Sequence, residues 1–134
     1  MIQRCLLDTT VLIDLSKGIP GVRARLDTVL EAGFVAGVCA VSVAEFVSGV
    51  PPSRRGWVAP LLDQFAYWDI TREAAEVAGM LRHDLARRGI ALHVPDSLIA
   101  GLARTLDATV VTDNAKDFAH TGVRTVRLRG DVPR

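Results

Sequence analysis

Acidic residues stand at the ends of four short apolar segments that are far apart in the sequence. The segments are CLLDTTVLIDL with Asp8, AVSVAEFVSGV with Glu45, HVPDSLIAGLA with Asp96, and ATVVTDNAKDF with Asp113 and Asp117. A carboxylate near apolar surface is costly unless something pairs with it, and two carboxylates about 4 Å apart in a partly shielded site repel by roughly 4 kcal/mol. A bound divalent cation would offset this repulsion, so the pattern predicts a metal site.

The available donors indicate which cation such a site would take. Carboxylate oxygens favour a hard ion, Mg²⁺ or Mn²⁺, over zinc. His83, His93 and His120 are scattered along the chain and do not pair at metal-ligand spacing. The sequence also contains neither a phosphate-binding P-loop nor the flanking glycines of a serine nucleophile elbow. We therefore predict chemistry that depends on a bound cation rather than on a covalent nucleophile.

Three of the acidic residues also have an ordinary structural interpretation. Asp8 could cap the helix that follows it, and Asp96 comes after Pro95 in a first helical turn, where the helix dipole favours negative charge. Ser42 and Glu45 match a capping box with Ser42 at the N-cap. We favour function over capping because the fold is expected to bring these residues to one edge of a sheet.

The elements that must position these residues alternate between strands and helices. We predict apolar strands over residues 4–8, 34–41, 67–70, 109–112 and 123–128, and helices over 11–16, 22–32, 42–50, 55–65, 72–88 and from 95 onwards. Strands that are apolar on both faces and alternate with helices indicate an α/β, three-layer sandwich with a central parallel sheet of four to five strands. The functional crevice of such a sheet lies at the carboxyl ends of its strands.

Composition limits the remaining classes. The chain has 134 residues, of which 49% are hydrophobic and 23% charged, so we expect residues 1–134 to form one compact domain. No apolar run is long enough for a membrane span. Cys5 and Cys39 lie in apolar runs and are expected to be free thiols in the cytoplasm, with a disulfide possible only if their strands are neighbours.

Taken together, LLDTTVLIDL, SVAEF, PDSLIAGLA and VVTDNAKDF, in this order and spacing, resemble the PIN-domain ribonucleases. More narrowly, they are similar to the VapC toxins of prokaryotic type II toxin–antitoxin pairs. The resemblance extends from Ile2 to about Leu128. It implies a PIN-like fold and a Mg²⁺- or Mn²⁺-dependent endoribonuclease that cleaves RNA with a cation-activated water.

The resemblance also implies roles for individual residues. Asp8, Glu45 and Asp96 match the first three acidic positions of the family. In the fourth motif, Thr112 matches the hydroxyl residue and Asn114 stands where many relatives carry Asp, so that Asp113, Asn114 and Asp117 all remain candidates for the fourth position. The predicted catalytic set is Asp8, Glu45, Asp96, Thr112, Asp113, Asn114 and Asp117, with Asp8, Glu45, Asp96 and Asp113 as predicted metal ligands.

Further implications concern partners. Members of the resembled family form homodimers and are neutralised by a cognate VapB-type antitoxin, so we expect both here. An alternative function is a non-catalytic module whose acidic pocket binds a basic partner peptide. A phosphatase of the haloacid-dehalogenase type is disfavoured because position 10 is Thr rather than a second Asp.

Overall fold

Five parallel strands form the centre of the protein in a computed structural model that describes residues 2–129. The strands are β1 (Gln3–Leu7), β2 (Phe34–Val38), β3 (Ala66–Tyr67), β4 (Thr109–Val111) and β5 (Thr125–Val126), in the spatial order β3-β2-β1-β4-β5. Every neighbouring pair is parallel. The predicted parallel sheet of four to five strands is confirmed.

Six α-helices connect and cover these strands. They are α1 (Thr9–Lys17), α2 (Val22–Glu31), α3 (Ala40–Ser48), α4 (Val58–Leu62), α5 (Arg72–Arg87) and α6 (Val94–Leu106), and two short 3₁₀-helices cover Pro52–Trp57 and Ala115–Phe118. Because α6 leads directly into β4, its amino end lies at the carboxyl edge of the sheet. The amino ends of α1 and α3 lie at the same edge, since each helix follows a strand.

Alternate residues of β1 divide the hydrophobic core into two halves. Leu6 belongs to the half formed with α5 and α6, whereas Leu7 belongs to the half formed with α1, α2 and α3. Both leucines are fully buried, as expected where successive side chains of a strand point to opposite faces. The sheet is therefore covered on both sides, which confirms the predicted three-layer sandwich.

Helices α5 and α6 pack against each other at unusually close range. A Cβ atom at Gly101 of α6 would overlap the carbonyl oxygen of Ala74 in α5 and crowd Ala78. Only glycine allows the two backbones to approach in this way. This contact helps to set the position of α6, the helix that carries Asp96.

The boundary between β2 and α3 differs from the prediction. The strand ends at Val38 and the helix begins at Ala40 with Cys39 at the N-cap, so Ser42 lies in the first turn rather than at the N-cap. Ser42 Oγ accepts a hydrogen bond from the Cys39 N–H at 3.3 Å. The predicted helix start at Ser42 is wrong, because a continuous apolar run hides the point at which a buried strand becomes a buried helix. The capping box of Ser42 and Glu45, the alternative to a functional role for Glu45, does not form.

The predicted helix over 55–65 is also wrong in its extent. The chain forms a 3₁₀-helix up to Trp57 and then α4 from Val58 to Leu62. A helix that continued through 55–65 would place Pro60 in its interior, where the ring clashes with the preceding turn. Starting α4 at Val58 leaves Pro60 in the first turn, where it is tolerated. The strands predicted over 67–70 and 123–128 are shorter than expected, at Ala66–Tyr67 and Thr125–Val126.

The two cysteines lie on neighbouring elements but on opposite sides of the sheet. Cys5 is in β1, Cys39 directly follows β2, and the two thiols belong to different halves of the core. Both are buried and free, and burial raises the pKa of the Cys5 thiol to about 11. The expected free thiols are confirmed. Over residues 2–129, no helix combines the length and the hydropathy that crossing a membrane requires.

Candidate active site

Asp8 lies directly after β1 and is the most buried acidic residue of the site, with 6% of its surface exposed. Its Oδ1 accepts a hydrogen bond from the Thr9 N–H at 2.7 Å and thereby caps α1. Its Oδ2 accepts a hydrogen bond from Thr112 Oγ1 at 2.8 Å. Both oxygens therefore have a fixed orientation, and each keeps lone-pair capacity for a further partner.

Thr112 connects this carboxylate to the loop after β4. Its side chain is completely buried, and while the hydroxyl donates to Asp8 it accepts a hydrogen bond from the Asn114 N–H at 3.0 Å. Thr112 was expected to be the hydroxyl residue of the fourth motif, and the structure shows that this hydroxyl binds the Asp8 carboxylate. The signal in the sequence was a hydroxyl residue at the end of an apolar strand.

Glu45 reaches the same edge of the sheet from α3. Its Oε1 accepts a hydrogen bond from Thr9 Oγ1 at 2.7 Å, so Thr9 contacts both Asp8 and Glu45. Although Glu45 is exposed, this bond holds its carboxylate next to the buried one. The link between Thr9 and Glu45 became visible only in the structure.

Asp96 stands in the first turn of α6, preceded by Pro95 and by His93 at the N-cap. It is half-buried and lines a cleft of about 280 Å³ together with Asp117 and Lys116. Burial is the main cause that raises the pKa of Asp96 from 3.8 to about 6, followed by the charges of Asp117, Asp8 and Glu45, while His93 acts in the opposite direction.

The carboxylates of Asp8, Glu45, Asp96 and Asp117 are close enough to influence one another. Burial raises the pKa of Asp8 above its ordinary value, the hydrogen bonds from Thr112 and Thr9 oppose the shift, and the charges of Glu45 and Asp117 add to it. These residues come from four different parts of the fold: the junction of β1 and α1, α3, α6 and the 3₁₀-helix Ala115–Phe118. The fold thus gathers negative charge at the carboxyl edge of the sheet, where a cation would stabilise it.

Asp113 and Asn114 occupy a different environment from Asp117. Asp113 Oδ1 accepts a hydrogen bond from Arg127 Nη2 at 3.2 Å, and its Oδ2 lies 3.8 Å from Arg129 Nε. Asn114 is exposed, and its backbone N–H is bonded to Thr112. Of the candidates for the fourth acidic position, only Asp117 contributes to the charge felt by both Asp8 and Asp96.

The donor set fits a hard divalent cation. Within residues 2–129, no three acidic, histidine or cysteine side chains are spaced to ligate one ion directly. Mg²⁺ usually binds through one or two carboxylates and keeps several of its water molecules, so such direct coordination is not required of the protein. Such a cation stabilises carboxylates whose negative charges raise one another's pKa values.

A parallel five-stranded sheet with clustered acidic residues at its carboxyl edge is the architecture that the sequence predicted for a PIN-like fold. The comparison with a family model supports the same assignment. Residues 5–123 match the family model of the PIN domain. The chain belongs to the PIN domain family.

Individual relatives make the comparison more specific. The chain is 28% identical over 123 residues to the tRNA(fMet)-specific endonuclease VapC of Shigella flexneri. The aligned residues cover 87% of this chain and 91% of the relative. The DNA-bound VapBC structure from Salmonella typhimurium has a TM-score of 0.81 at 24% identity, covering 96% of this chain and 99% of that one. A toxin–antitoxin complex from Klebsiella pneumoniae has a TM-score of 0.71 at 27% identity, covering 91% and 95%. The predicted resemblance to PIN-domain ribonucleases of the VapC type is confirmed.

Proposed function

We propose that this protein is a Mg²⁺- or Mn²⁺-dependent endoribonuclease toxin that is neutralised by a cognate antitoxin. The observation that carries the proposal is the convergence of Asp8, Glu45, Asp96 and Asp117 on one edge of the sheet, with the pKa values of Asp8 and Asp96 both raised. Membership of the PIN family and the similarity to an endonuclease support the same activity.

Some residues of the site would hold the cation, and others would orient the carboxylates that hold it. Asp8 and Asp96 are the principal candidates to hold the cation, and Thr112 and Thr9 orient Asp8 through the two hydrogen bonds to its oxygens. Thr9 also orients Glu45. When bound, the cation would activate a water for in-line attack on the phosphodiester and stabilise the negative charge of the transition state. The protein itself contributes position and electrostatic field rather than a nucleophile.

Asp117 is our candidate for the fourth acidic position, and this choice narrows the set that the sequence left open. The oxygens of Asp113 face Arg127 and Arg129, which compensate its charge. Asn114 carries no charge. Asp117, by contrast, lines the same cleft as Asp96.

The partners are proposals of the same kind. RNA is the proposed substrate class, by analogy with the VapC endonuclease to which this chain is similar, and one of the solved relatives named above is a toxin–antitoxin complex. We propose a VapB-type antitoxin and a homodimer for this chain as well. The free buried thiols of Cys5 and Cys39 are compatible with a location in the cytoplasm.

The direct test is cleavage of total RNA by purified Asp8→Asn. Asn is also a good N-cap, so the variant should keep the fold while it loses a negative charge at the site, and we expect cleavage to fall by about 100-fold or more. Asp27→Asn, which changes an exposed aspartate of α2, is the matched control and should cut at the wild-type rate. Cleavage by Asp8→Asn at the wild-type rate in Mg²⁺ would refute the proposal.

Removal of the metal distinguishes the enzyme from the alternative of an acidic pocket that binds a basic peptide. The proposed nuclease should stop cutting in EDTA and recover when Mg²⁺ or Mn²⁺ is added back. A peptide-binding module should cut under neither condition and should bind a basic peptide in EDTA without loss of affinity.

A further inference from the structure

The loop after β4, residues 112–117, is attached to the first turns of α1 by its own polar groups. The Asp113 N–H donates to Thr10 Oγ1 at 3.1 Å, and the Thr112 hydroxyl donates to Asp8 at 2.8 Å. This loop leads to Asp117, which is exposed and whose backbone N–H donates to the Asn114 carbonyl of the same loop at 3.0 Å. The position of Asp117 therefore depends on how firmly the loop is held.

Two arginines from the segment after β5 hold this loop from the other side. Arg129 Nε and Nη2 donate to Asp14 Oδ2 and Oδ1, both at 2.8 Å, and Arg129 Nε lies 3.8 Å from Asp113 Oδ2. Arg127 Nη2 donates to Asp113 Oδ1 at 3.2 Å. We call the four residues Asp14, Asp113, Arg127 and Arg129 the arginine clasp.

The segment that carries the arginines is itself anchored in the core. Leu128, between them, is only 3% exposed and packs with β1 and α1. The buried Leu128 thus fixes the backbone between Arg127 and Arg129, and both arginine side chains reach Asp113.

Asp14 makes the clasp more than a set of surface ion pairs. It lies on α1 and is only 6% exposed, so its charge requires a partner, and Arg129 supplies two parallel hydrogen bonds. Such fork-shaped pairs fix orientation as well as distance. The clasp thereby connects α1, the loop after β4 and the end of β5, three parts of the chain that are distant in sequence.

We propose that the arginine clasp positions the loop 112–117 and, through it, Thr112 and Asp117 at the acidic site. Arg129 and Arg127 are thus positioning residues. The clasp also compensates the charge of Asp113, which leaves the negative potential centred on Asp8, Glu45, Asp96 and Asp117. This inference rests on the proposed function, because it assigns a role toward the same site.

The first test measures the loop itself and does not depend on activity. In Arg129→Gln we expect the Asp113 and Asn114 amides to exchange with solvent about ten-fold faster or more, because their hydrogen bonds open when the clasp is lost. Arg124→Gln is the matched control: Arg124 stands directly before β5, where its side chain contacts Asp107 and Thr109 and none of the clasp residues, so these amides should be unchanged.

The second test measures the consequence for the site. The Mn²⁺ concentration that gives half-maximal RNA cleavage should rise about ten-fold in Arg129→Gln, as is typical when a group that orients a metal ligand is removed. Arg129→Lys, which keeps the charge but not the fork, should recover part of this loss. A merely structural clasp would lower the Tm but leave the Mn²⁺ midpoint unchanged well below that temperature.

Each result separates the inference from the proposed function. Unchanged amide exchange in Arg129→Gln would overturn the clasp, and faster exchange with an unchanged Mn²⁺ midpoint would overturn its positioning role. If Arg129→Gln does not fold, the double variant Asp14→Asn/Arg129→Gln removes the unpaired buried charge and is judged by the same two criteria. A wild-type protein without metal-dependent cleavage would refute the proposed function, whereas the exchange experiment would still decide whether the clasp holds the loop.

Discussion

At Asp8, one carboxylate oxygen caps α1 while the other accepts a hydrogen bond from Thr112. Capping and a role in the site were weighed as alternatives from the sequence, but the geometry makes them compatible, because a carboxylate has two oxygens with two acceptor positions each. The bond from Thr9 stabilises the start of the helix, and together with the bond from Thr112 it orients the carboxylate. A helix cap at the carboxyl edge of a parallel sheet is thus a suitable place for a metal ligand.

The hydroxyl of Thr112 provides a prediction at this scale. Thr112→Val keeps the shape of a fully buried side chain but leaves the Asp8 oxygen and the Asn114 N–H without this partner, so we expect a loss of about 1–3 kcal/mol in the free energy of unfolding. RNA cleavage should fall by about ten-fold or more, since Asp8 loses an orienting bond.

Urea unfolding and a cleavage assay check both effects. Thr105→Val is the matched control, because the Thr105 hydroxyl donates to the Leu102 carbonyl within its own helix α6. If Thr112→Val cleaved RNA as fast as Thr105→Val, the hydroxyl would have no role in orienting the site.

We expect the ionised carboxylate of Asp96 to lower the free energy of unfolding of the metal-free protein. With its pKa raised from 3.8 to about 6 in the folded chain, the folded state binds more protons than the unfolded state between these pH values. The free energy of unfolding in EDTA therefore falls as pH rises through this window. Asp96→Asn removes the charge, and we expect it to be more stable than the wild type at pH 7 by about 1 kcal/mol after allowance for solvent screening.

The stability difference between Asp96→Asn and the wild type should disappear below the lower end of this window, at a pH under 3.8, where Asp96 is protonated in both states. Urea unfolding at a series of pH values in EDTA measures it. The same variant should be inactive on RNA. An Asp96→Asn protein less stable than the wild type at pH 7 would contradict the explanation based on burial and like charge.

At the scale of elements, the close packing of α5 and α6 sets where Asp96 stands. Gly101→Ala would place a Cβ against the backbone of Ala74, so we expect a loss of about 1–3 kcal/mol in the free energy of unfolding. Gly79→Ala is the matched control on α5: nothing lies near the new Cβ, and the change should stabilise by about 0.5–1 kcal/mol because alanine favours helices.

If this packing argument is correct, thermal or urea unfolding will show a lower stability for Gly101→Ala and a higher stability for Gly79→Ala than for the wild type. Destabilisation by both, or by neither, would show that the approach of the two helices does not depend on glycine. Because α6 carries Asp96, Gly101→Ala should also reduce RNA cleavage at a temperature at which the variant remains folded.

Element types were predictable from the sequence, whereas several boundaries were not. The strand near Phe34 and the helix with Glu45 were both expected, but their junction was placed at Ser42 rather than at Cys39. Apolar residues continue through that junction because both elements are buried, so the hydrophobic pattern does not change where the strand ends and the helix begins. The misplaced boundary suggested a capping role for Glu45, and the true boundary frees Glu45 to accept its hydrogen bond from Thr9.

At the scale of the whole molecule, cation binding should appear as thermal stabilisation. A ligand that binds only the folded chain at about 100 times its Kd adds about 2.7 kcal/mol to the free energy of unfolding, which raises the Tm of a domain of this size by several degrees. We expect Mn²⁺ to raise the Tm of the wild type and of Asp27→Asn, and to have little effect on the double variant Asp8→Asn/Asp96→Asn. Equal shifts in all three proteins would show that the cation binds elsewhere.

The sequence by itself determined the order of strands and helices, the parallel sheet and the acidic residues Asp8, Glu45 and Asp96, because hydrophobic periodicity and residue type are local properties that survive in a linear string. The tertiary structure alone decided which side chains meet. It separated Asp117, near the acidic cluster, from Asp113, which pairs with Arg127 and Arg129. That distinction depends on contacts between different elements, and Arg129 also pairs with Asp14, which lies 115 positions away. The packing of the sheet and helices is what brings such residues together.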